Sequence, residues 1–180
     1  MNILCGIDEA GRGPLAGPMT VAGVVIKKPI DGLNDSKKLS EKKRESLFDI
    51  IKENCSYHIV TTTNKQIDEL GLSLCISNSI KNIMSNIKAT SYLMDGNTTF
   101  GIEGLDCLIK ADQSVQEVSA ASILAKVTRD RYMKDIAKEY PLYSFEKHKG
   151  YGTKAHIEAI KIHGFSELHR VSYKIKGVNS

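Results

Sequence analysis

Two adjacent carboxylates, Asp8 and Glu9, close an apolar run over residues 3–7 that is too short for a helix and reads as a buried strand. Two negative charges at the end of a buried strand are costly unless something positive sits beside them. Gly11, Gly13 and Gly17 follow, with Arg12, Pro14 and Pro18 between them. A run rich in β-branched residues over 20–26 then reads as a second strand. Glycines let backbone N–H groups approach a phosphate closely, and Arg12 adds a planar charged fork. Acid to hold a cation and bare backbone to hold an anion outline a metal-dependent phosphoryl-transfer site. The same residues also suit a solvated acidic turn and a loop that glycines merely shape, and this stretch alone does not separate the two.

Two further carboxylates stand where strands should end. Tyr92-Leu93-Met94 reads as a short buried strand delivering Asp95-Gly96-Asn97, and residues 105–109 as another delivering Lys110-Ala111-Asp112. Ligand and metal sites of open α/β sheets lie beyond strand C-termini, so Asp8, Glu9, Asp95 and Asp112 suit one shared site. Each Asp also has a structural reading: Asp95-Gly96 is a common turn, and Asp112 can help to cap a helix whose dipole favours an anion. An all-oxygen cluster of this charge calls for hard divalent cations, Mg²⁺ or Mn²⁺, over zinc. A pair of such ions can activate a water and stabilise a leaving oxygen. Because neighbouring strand residues face opposite ways, Asp8 and Glu9 are expected to converge only if the strand ends or bulges there.

The elements that must position these groups can be read from periodicity. Ser40 looks like an N-cap, with Leu47, Phe48, Ile50 and Ile51 as the apolar stripe of a helix ending near residue 54. Residues 55–62 alternate as a third strand. Asn64 can cap a short helix stopped at Gly71, and Ile76, Ile80, Ile83, Met84 and Ile87 recur at helical spacing after it. Ser114-Val115-Gln116-Glu117 reads as a capping box opening a helix that runs to about residue 140 and is stopped by Pro141. Its first turns are small (Ser119, Ala120, Ala121, Ser122), which permits close packing under the sheet. A basic turn, His148-Lys149-Gly150-Tyr151-Gly152-Thr153, and a last helix from about 154 to 163 complete the chain. The order is that of an α/β fold: a mixed sheet with helices on its faces and a helical tail. Residues 1–140 are expected to form the core and 141–180 a helical C-terminal extension packing on it.

The 180 residues suffice for one domain with an adequate core. No apolar run approaches membrane-spanning length, and the chain opens on a strand, so neither a membrane span nor a signal peptide is expected. Cys5, Cys55, Cys75 and Cys107 lie 20 or more residues apart without metal-ligand spacing, which predicts reduced core thiols and a cytoplasmic protein. Charge is uneven: residues 1–119 hold 13 Lys/Arg against 15 Asp/Glu, whereas residues 120–180 hold 12 against 6. Four of the five histidines (His148, His156, His163, His169) fall in that last third. The asymmetry suits an acidic part that binds metal and a basic part that meets a polyanion; a solvated basic helix face is the alternative.

Longer motifs join these pieces. Gly6-Ile7-Asp8-Glu9-Ala10-Gly11-Arg12-Gly13-Pro14-Leu15-Ala16-Gly17-Pro18 resembles the signature of bacterial ribonuclease HII, the type 2 ribonuclease H. The likeness continues through Asp35-Ser36-Lys37-Lys38-Leu39-Ser40, Asp95-Gly96, Lys110-Ala111-Asp112 and the run from Ala120 to Arg131. It ends with His148-Lys149-Gly150-Tyr151-Gly152-Thr153 and His169-Arg170-Val171-Ser172-Tyr173, covering nearly the whole chain in order. It implies the ribonuclease H-like five-stranded mixed sheet and a monomer. It also implies Mn²⁺- or Mg²⁺-dependent cleavage, with two ions, of RNA in RNA–DNA hybrids. Incision 5′ of single ribonucleotides in duplex DNA, leaving 3′-hydroxyl and 5′-phosphate ends, is implied as well. Carried over, the acidic ligands are Asp8, Glu9, Asp95 and Asp112. The Gly11-Arg12-Gly13 backbone would read the ribose 2′-hydroxyl and Tyr151 would pack at the RNA–DNA junction. Lys37, Ser122, Lys126 and Lys149 are further candidate substrate contacts, and Arg129, Lys147 and Lys154 join Lys126 and Lys149 as a phosphate-facing group. The chain departs from the family pattern at Cys75, Ser77 and Ser79, where an alanine-rich helix is expected, and at Tyr173, which stands in the place of a Phe.

Two other classes compete. One is a nucleic-acid-binding domain whose carboxylates are incidental. The other reads Gly11-x-Gly13-x-x-x-Gly17 as a nucleotide-cofactor loop, against which stand the interrupting Pro14 and Pro18 and the repulsion between carboxylates and a pyrophosphate.

Overall fold

The structure, a computed structural model, describes residues 3–33 and 39–179. Five strands form one mixed sheet: β1 (Leu4–Ala10), β2 (Met19–Ile26), β3 (Cys55–Thr62), β4 (Ser91–Asp95) and β5 (Leu105–Leu108). Their spatial order is β3-β2-β1-β4-β5, so β1 lies in the middle. It pairs antiparallel with β2 and parallel with β4, and β5 runs parallel to β4. The parallel trio delivers the ends of β1, β4 and β5 to the same edge of the sheet.

Helices cover both faces: α1 (Glu41–Asn54), α2 (Asn64–Leu70), α3 (Leu72–Asn86) and α4 (Gln116–Ile136), with α5 (Phe145–His148) and α6 (Lys154–His163) at the C-terminal end. Strand alternation divides the core cleanly. Ala22 and Val24 pack with Leu47, Phe48 and Ile51 of α1 and Ala121, Ile123 and Leu124 of α4. Cys5, Ile7, Met19 and Val21 pack on the other face with Ile67 of α2 and Ile76, Ile80 and Ile83 of α3. Burial of each such branched aliphatic side chain contributes about 1.5–3 kcal/mol, which holds the sheet against the charge gathered at its edge. A Cβ on Gly6 would lie 2.3 Å from the backbone of Glu117 and Val118, so α4 crosses β1 at a point only glycine can occupy.

A third cluster joins Met133 of α4 and Ala137 just beyond it to Tyr143, Phe145, Ile160, Leu168 and Ile175, and it includes Ala16 from the glycine-rich loop after β1. The residues beyond α4 thus rest on α4 and on that loop together.

Several local expectations are corrected. Ser114 does not cap α4: its amide closes the 3-10 turn of Ala111–Gln113 by bonding to the Ala111 carbonyl, and extended Val115 precedes the helix without a side-chain cap. The helix ends at Ile136, and single turns, not helix, carry the chain to Pro141. Thr63, not Asn64, caps α2, forming a capping box with Gln66. Asn64 is freed to donate to the carbonyls of Glu167 and His169. Ser40 caps α1 as expected, but Ile50 is exposed and outside its apolar stripe. Cys5, Cys55, Cys75 and Cys107 are all free thiols. Among the described residues no helix is long and apolar enough to cross a membrane.

Candidate active site

Register explains why the acids meet. Ile7 of β1 lies beside Met94 of β4, the last pair between these two strands, so the next residues, Asp8 and Asp95, stand side by side where β1 and β4 part. Asp112 follows β5 on its 3-10 turn, after Lys110 in a left-handed conformation. One carboxylate oxygen from each of Asp8, Asp95 and Asp112 can be chosen so that all three lie within 4.8 Å of one another. Asp8 and Asp112 are buried and Asp95 is half-buried.

Hydrogen bonds hold the cluster in shape. Asp8 accepts the Glu9 amide at 2.7 Å and a bond from the Ser122 hydroxyl of α4. Asp95 accepts the Ala111 amide at 2.8 Å, which ties the end of β4 to the turn carrying Asp112. Burial pushes the Asp8 carboxyl well above the ordinary carboxylate range, and the charges of Glu9 and Asp95 push it further; its two hydrogen bonds oppose the rise.

The expected end or bulge between Asp8 and Glu9 is absent. Pairing with β2 continues unbroken through Asp8, Glu9 and Ala10. Alternation therefore persists, and Glu9 stands outside the tight group of three while lining the same cleft. Its Oε1 meets Arg12 at 3.2 Å, and its Oε2 is buried without a hydrogen-bond partner among the described residues. Burial raises the Glu9 carboxyl too, and Arg12 opposes the rise.

The cleft has a volume of about 480 Å³ and is lined by Asp8, Glu9, Gly11, Arg12, Gly13, Asp95, Ser122, Lys126 and Tyr151, with Ala10 and Arg44. Nine sequence-predicted residues thus share one cavity, with Asp112 joined to them through Asp8 and Asp95. Lys149 does not line it; its ammonium donates to the Glu146 carbonyl. Lys37 lies outside the described residues. Lys147 and Lys154 are exposed, as a phosphate-facing group requires. Arg129 is not part of such a group, because its side chain is buried.

Arg129 and Arg170 instead hold the glycine-rich loop from within. Arg129 donates to the carbonyls of Pro18 and Ala16. Arg170 donates to those of Gly11, Arg12 and Gly17. Burial lowers both guanidinium pKa values, that of Arg129 to about 10, yet both stay charged at neutral pH. The loop's carbonyls are thus held by two buried cations, while its Leu15 and Gly17 amides donate to the carbonyls of Gly150 and Leu168. Gly11, at φ +98°, makes the bend after β1 possible, and a Cβ there would strike the Arg129 side chain.

Tyr151 overhangs the cleft, its ring 5.6 Å from the Arg129 guanidinium carbon and 5.8 Å from the Lys126 ammonium. Two of the histidines expected on a basic surface, His156 and His169, are buried parts of its support, and half-buried His148 joins them. The Ser166 amide donates to His169 Nδ1 at 2.8 Å, and His169 and His156 share a 3.0 Å bond between their Nε2 atoms. His156 Nδ1 then donates to the Tyr151 carbonyl at 2.9 Å. This chain of bonds needs both imidazoles neutral. Burial lowers each to about 4, and each depresses the other or feels His148. His148 is likewise lowered, donating to the Tyr143 carbonyl and accepting from the Gly150 amide.

Arg44, the inward role of the two arginines and the histidine chain are not legible in residue spacing. A buried arginine and an exposed one look the same in a charge count.

The chain is similar to known proteins over nearly its whole length. The family model for ribonuclease HII matches residues 5–176. The ribonuclease HII of Sulfurovum sp. is 58% identical, with 98% of this chain and 94% of the relative covered. That of Aliarcobacter butzleri is 62% identical, with 99% and 94% covered. Among solved structures, the RNase HII of Archaeoglobus fulgidus, from its complex with PCNA, superimposes with a TM-score of 0.84 at 25% identity, covering 97% of this chain and 96% of that one. The ribonuclease H2 of Pyrococcus horikoshii gives 0.81 at 29% identity, covering 96% and 94%. An RNase HIII solved in complex with Mn²⁺ shares the fold, at a TM-score of 0.73 and 18% identity over 96% of this chain and 67% of that one. With the acids gathered at one sheet edge and the likeness running almost end to end, this chain belongs to the ribonuclease HII family and is an endoribonuclease.

Proposed function

We propose that this endoribonuclease hydrolyses the RNA strand of RNA–DNA hybrids and incises duplex DNA on the 5′ side of a single embedded ribonucleotide, leaving 3′-hydroxyl and 5′-phosphate ends. The observation that carries this reading is the meeting, in one cleft, of an all-oxygen acid cluster with a loop that turns its carbonyls away and with an overhanging Tyr151.

The donor set fits divalent metal. It is made only of carboxylate oxygens, it is strained by its own charge when empty of cations, and Glu9 keeps one buried oxygen without a hydrogen-bond partner among the described residues. Asp8, Asp95 and Asp112 would hold Mn²⁺ or Mg²⁺, with Glu9 completing the set for two ions. Bound there, the metal supplies activation of a water and neutralisation of the leaving oxygen. The chain's own residues do the rest. Ser122 and the Glu9 amide fix the Asp8 carboxylate, and Arg12 holds Glu9 in place. The Gly11-Arg12-Gly13 backbone reads the 2′-hydroxyl, the one group that separates RNA from DNA at a given position. Tyr151 packs at the RNA–DNA junction, and Lys126 and Arg44, with exposed lysines beyond the cleft, meet phosphates. Residues 1–140 form the catalytic core on this reading, and residues 141–180 an extension that supports the reading surface. The enzyme acts as a monomer in the cytoplasm, a compartment that suits four free thiols.

A labelled duplex holding one ribonucleotide, incubated beside an all-DNA control, tests this. The expected product is a single cut 5′ of the ribonucleotide, lost on chelation and restored by Mn²⁺ or Mg²⁺. Tyr151→Ala should impair that cut more than it weakens binding to plain DNA. Equal cutting of both duplexes, or equal losses in the variant, would refute the reading.

A further inference from the structure

The glycine-rich loop has a third restraint besides Arg129 and Arg170. The Tyr173 hydroxyl donates to the Arg12 carbonyl at 2.7 Å, and the same carbonyl accepts Arg170 Nη1 at 2.9 Å. Arg170 Nη1 also donates to the Tyr173 hydroxyl at 3.0 Å, closing a triangle of hydrogen bonds around one peptide oxygen. The described residues contain no cis peptide bond, so the N–H of the Arg12–Gly13 peptide faces away from that oxygen. It faces away from the buried arginine. Gly13 lines the cleft, and a Cβ built on it would meet nothing within 4 Å.

The phenol is itself well anchored. Asp68 of α2 accepts the amides of Val171 and Ser172 at 3.0 Å each, and Asn64 holds the carbonyls of Glu167 and His169. Asn179 donates to the Tyr173 carbonyl at 3.0 Å, and the ring lies 5.2 Å from the Arg170 guanidinium carbon. A hydroxyl fixed from both sides of its own chain can restrain the peptide it touches.

We propose that Tyr173 is a positioning residue for ribonucleotide recognition, its hydroxyl holding the Arg12–Gly13 peptide so that the Gly13 N–H is presented to the substrate. The proposal rests on the reading of the Gly11–Gly13 backbone as the 2′-hydroxyl sensor. Removing the hydroxyl leaves the ring and its packing in place but gives the Arg12 carbonyl one donor where it had two. A single hydrogen bond of this kind corresponds to a change of about 3- to 10-fold.

The test is Tyr173→Phe, followed by two readouts. One is the Gly13 amide in protein labelled with ¹⁵N-glycine, whose chemical shift and solvent exchange report the peptide without any turnover. The other is kcat/KM on the duplex with one ribonucleotide. The expected result is a shifted, faster-exchanging Gly13 amide, a melting temperature close to that of the parent, and a loss of about 3- to 10-fold in kcat/KM. An unaltered Gly13 amide overturns the proposal whatever happens to turnover, and an altered amide with full turnover overturns it equally. A parent enzyme unable to cut the ribonucleotide duplex would sink the underlying function instead, and the Gly13 signal would still show whether the phenol sets the peptide.

Discussion

Asp8 occupies a position that would ordinarily reject a carboxylate: it is 4% exposed, next to the fully buried Ile7 on the central strand, and faces other acids. On the proposed reading a bound cation offsets its charge, so activity and stability should pull in opposite directions here. Asp8→Asn is expected to lower metal-dependent cleavage by more than about 100-fold, beyond the effect of losing a residue that merely supports a ligand. The same change should stabilise the metal-free protein by on the order of 2 kcal/mol, since it removes one uncompensated buried charge. Melting curves in EDTA check this, with an expected rise of roughly 4–8 °C, and Mn²⁺ should raise the melting temperature of the parent but not of the variant. The four acids were legible as residues because they follow short apolar runs that read as strands, although only Asp95 ends its strand. How Glu9 joins them was not, because a one-residue step along a regular strand reverses direction, and the two side chains share the cleft without the strand end or bulge that was expected.

At the scale of elements, the segment after α6 matters more than its short irregular form suggests. It carries His169, Arg170 and Tyr173, which reach the Tyr151 carbonyl through His156 and the glycine-rich loop directly. The histidine chain makes this support sensitive to acid. His156 and His169 titrate near 4 in the fold against about 6.5 when unfolded. Between those values the unfolded chain binds more protons, so their contribution is complete above about pH 6.5 and is lost as pH falls towards 4. Each imidazole contributes on the order of 3 kcal/mol to that acid limb. His169→Gln, followed by thermal melts from pH 7.5 to 4.5, should flatten the limb relative to the parent; parallel curves would show that the pair is not neutral in the fold. Helices and strands were legible from apolar spacing nearly throughout. The capping of α4 was not, because the Ser114 amide is drawn into the turn that carries Asp112, and a sequence pattern cannot show which of two local structures claims a serine.

For the whole molecule, the site depends on how closely α4 lies against β1, since Ser122 on one meets Asp8 on the other. Gly6 sets that distance. Gly6→Ala places a methyl 2.3 Å from the α4 backbone and should cost about 1–3 kcal/mol, read as a melting temperature roughly 2–12 °C lower, with metal affinity falling alongside. An unchanged melt would mean that the helix can shift without consequence. The sheet order and the sharing of one edge by Asp8, Asp95 and Asp112 follow from parallel pairing of β1, β4 and β5, which strand spacing suggested and only long-range pairing could establish. Tyr173, expected from the sequence to depart from the family pattern, touches the loop beside the acids and not the acids themselves. The central claim is that acids remote in sequence form one cation-dependent centre, and Mn²⁺ titration by calorimetry with turnover measured in parallel tests it most directly. Asp112→Asn, far from Asp8 in the chain, should weaken Mn²⁺ binding by at least about 10-fold and lower turnover with it. Undiminished Mn²⁺ binding and full cleavage by that variant would contradict the account.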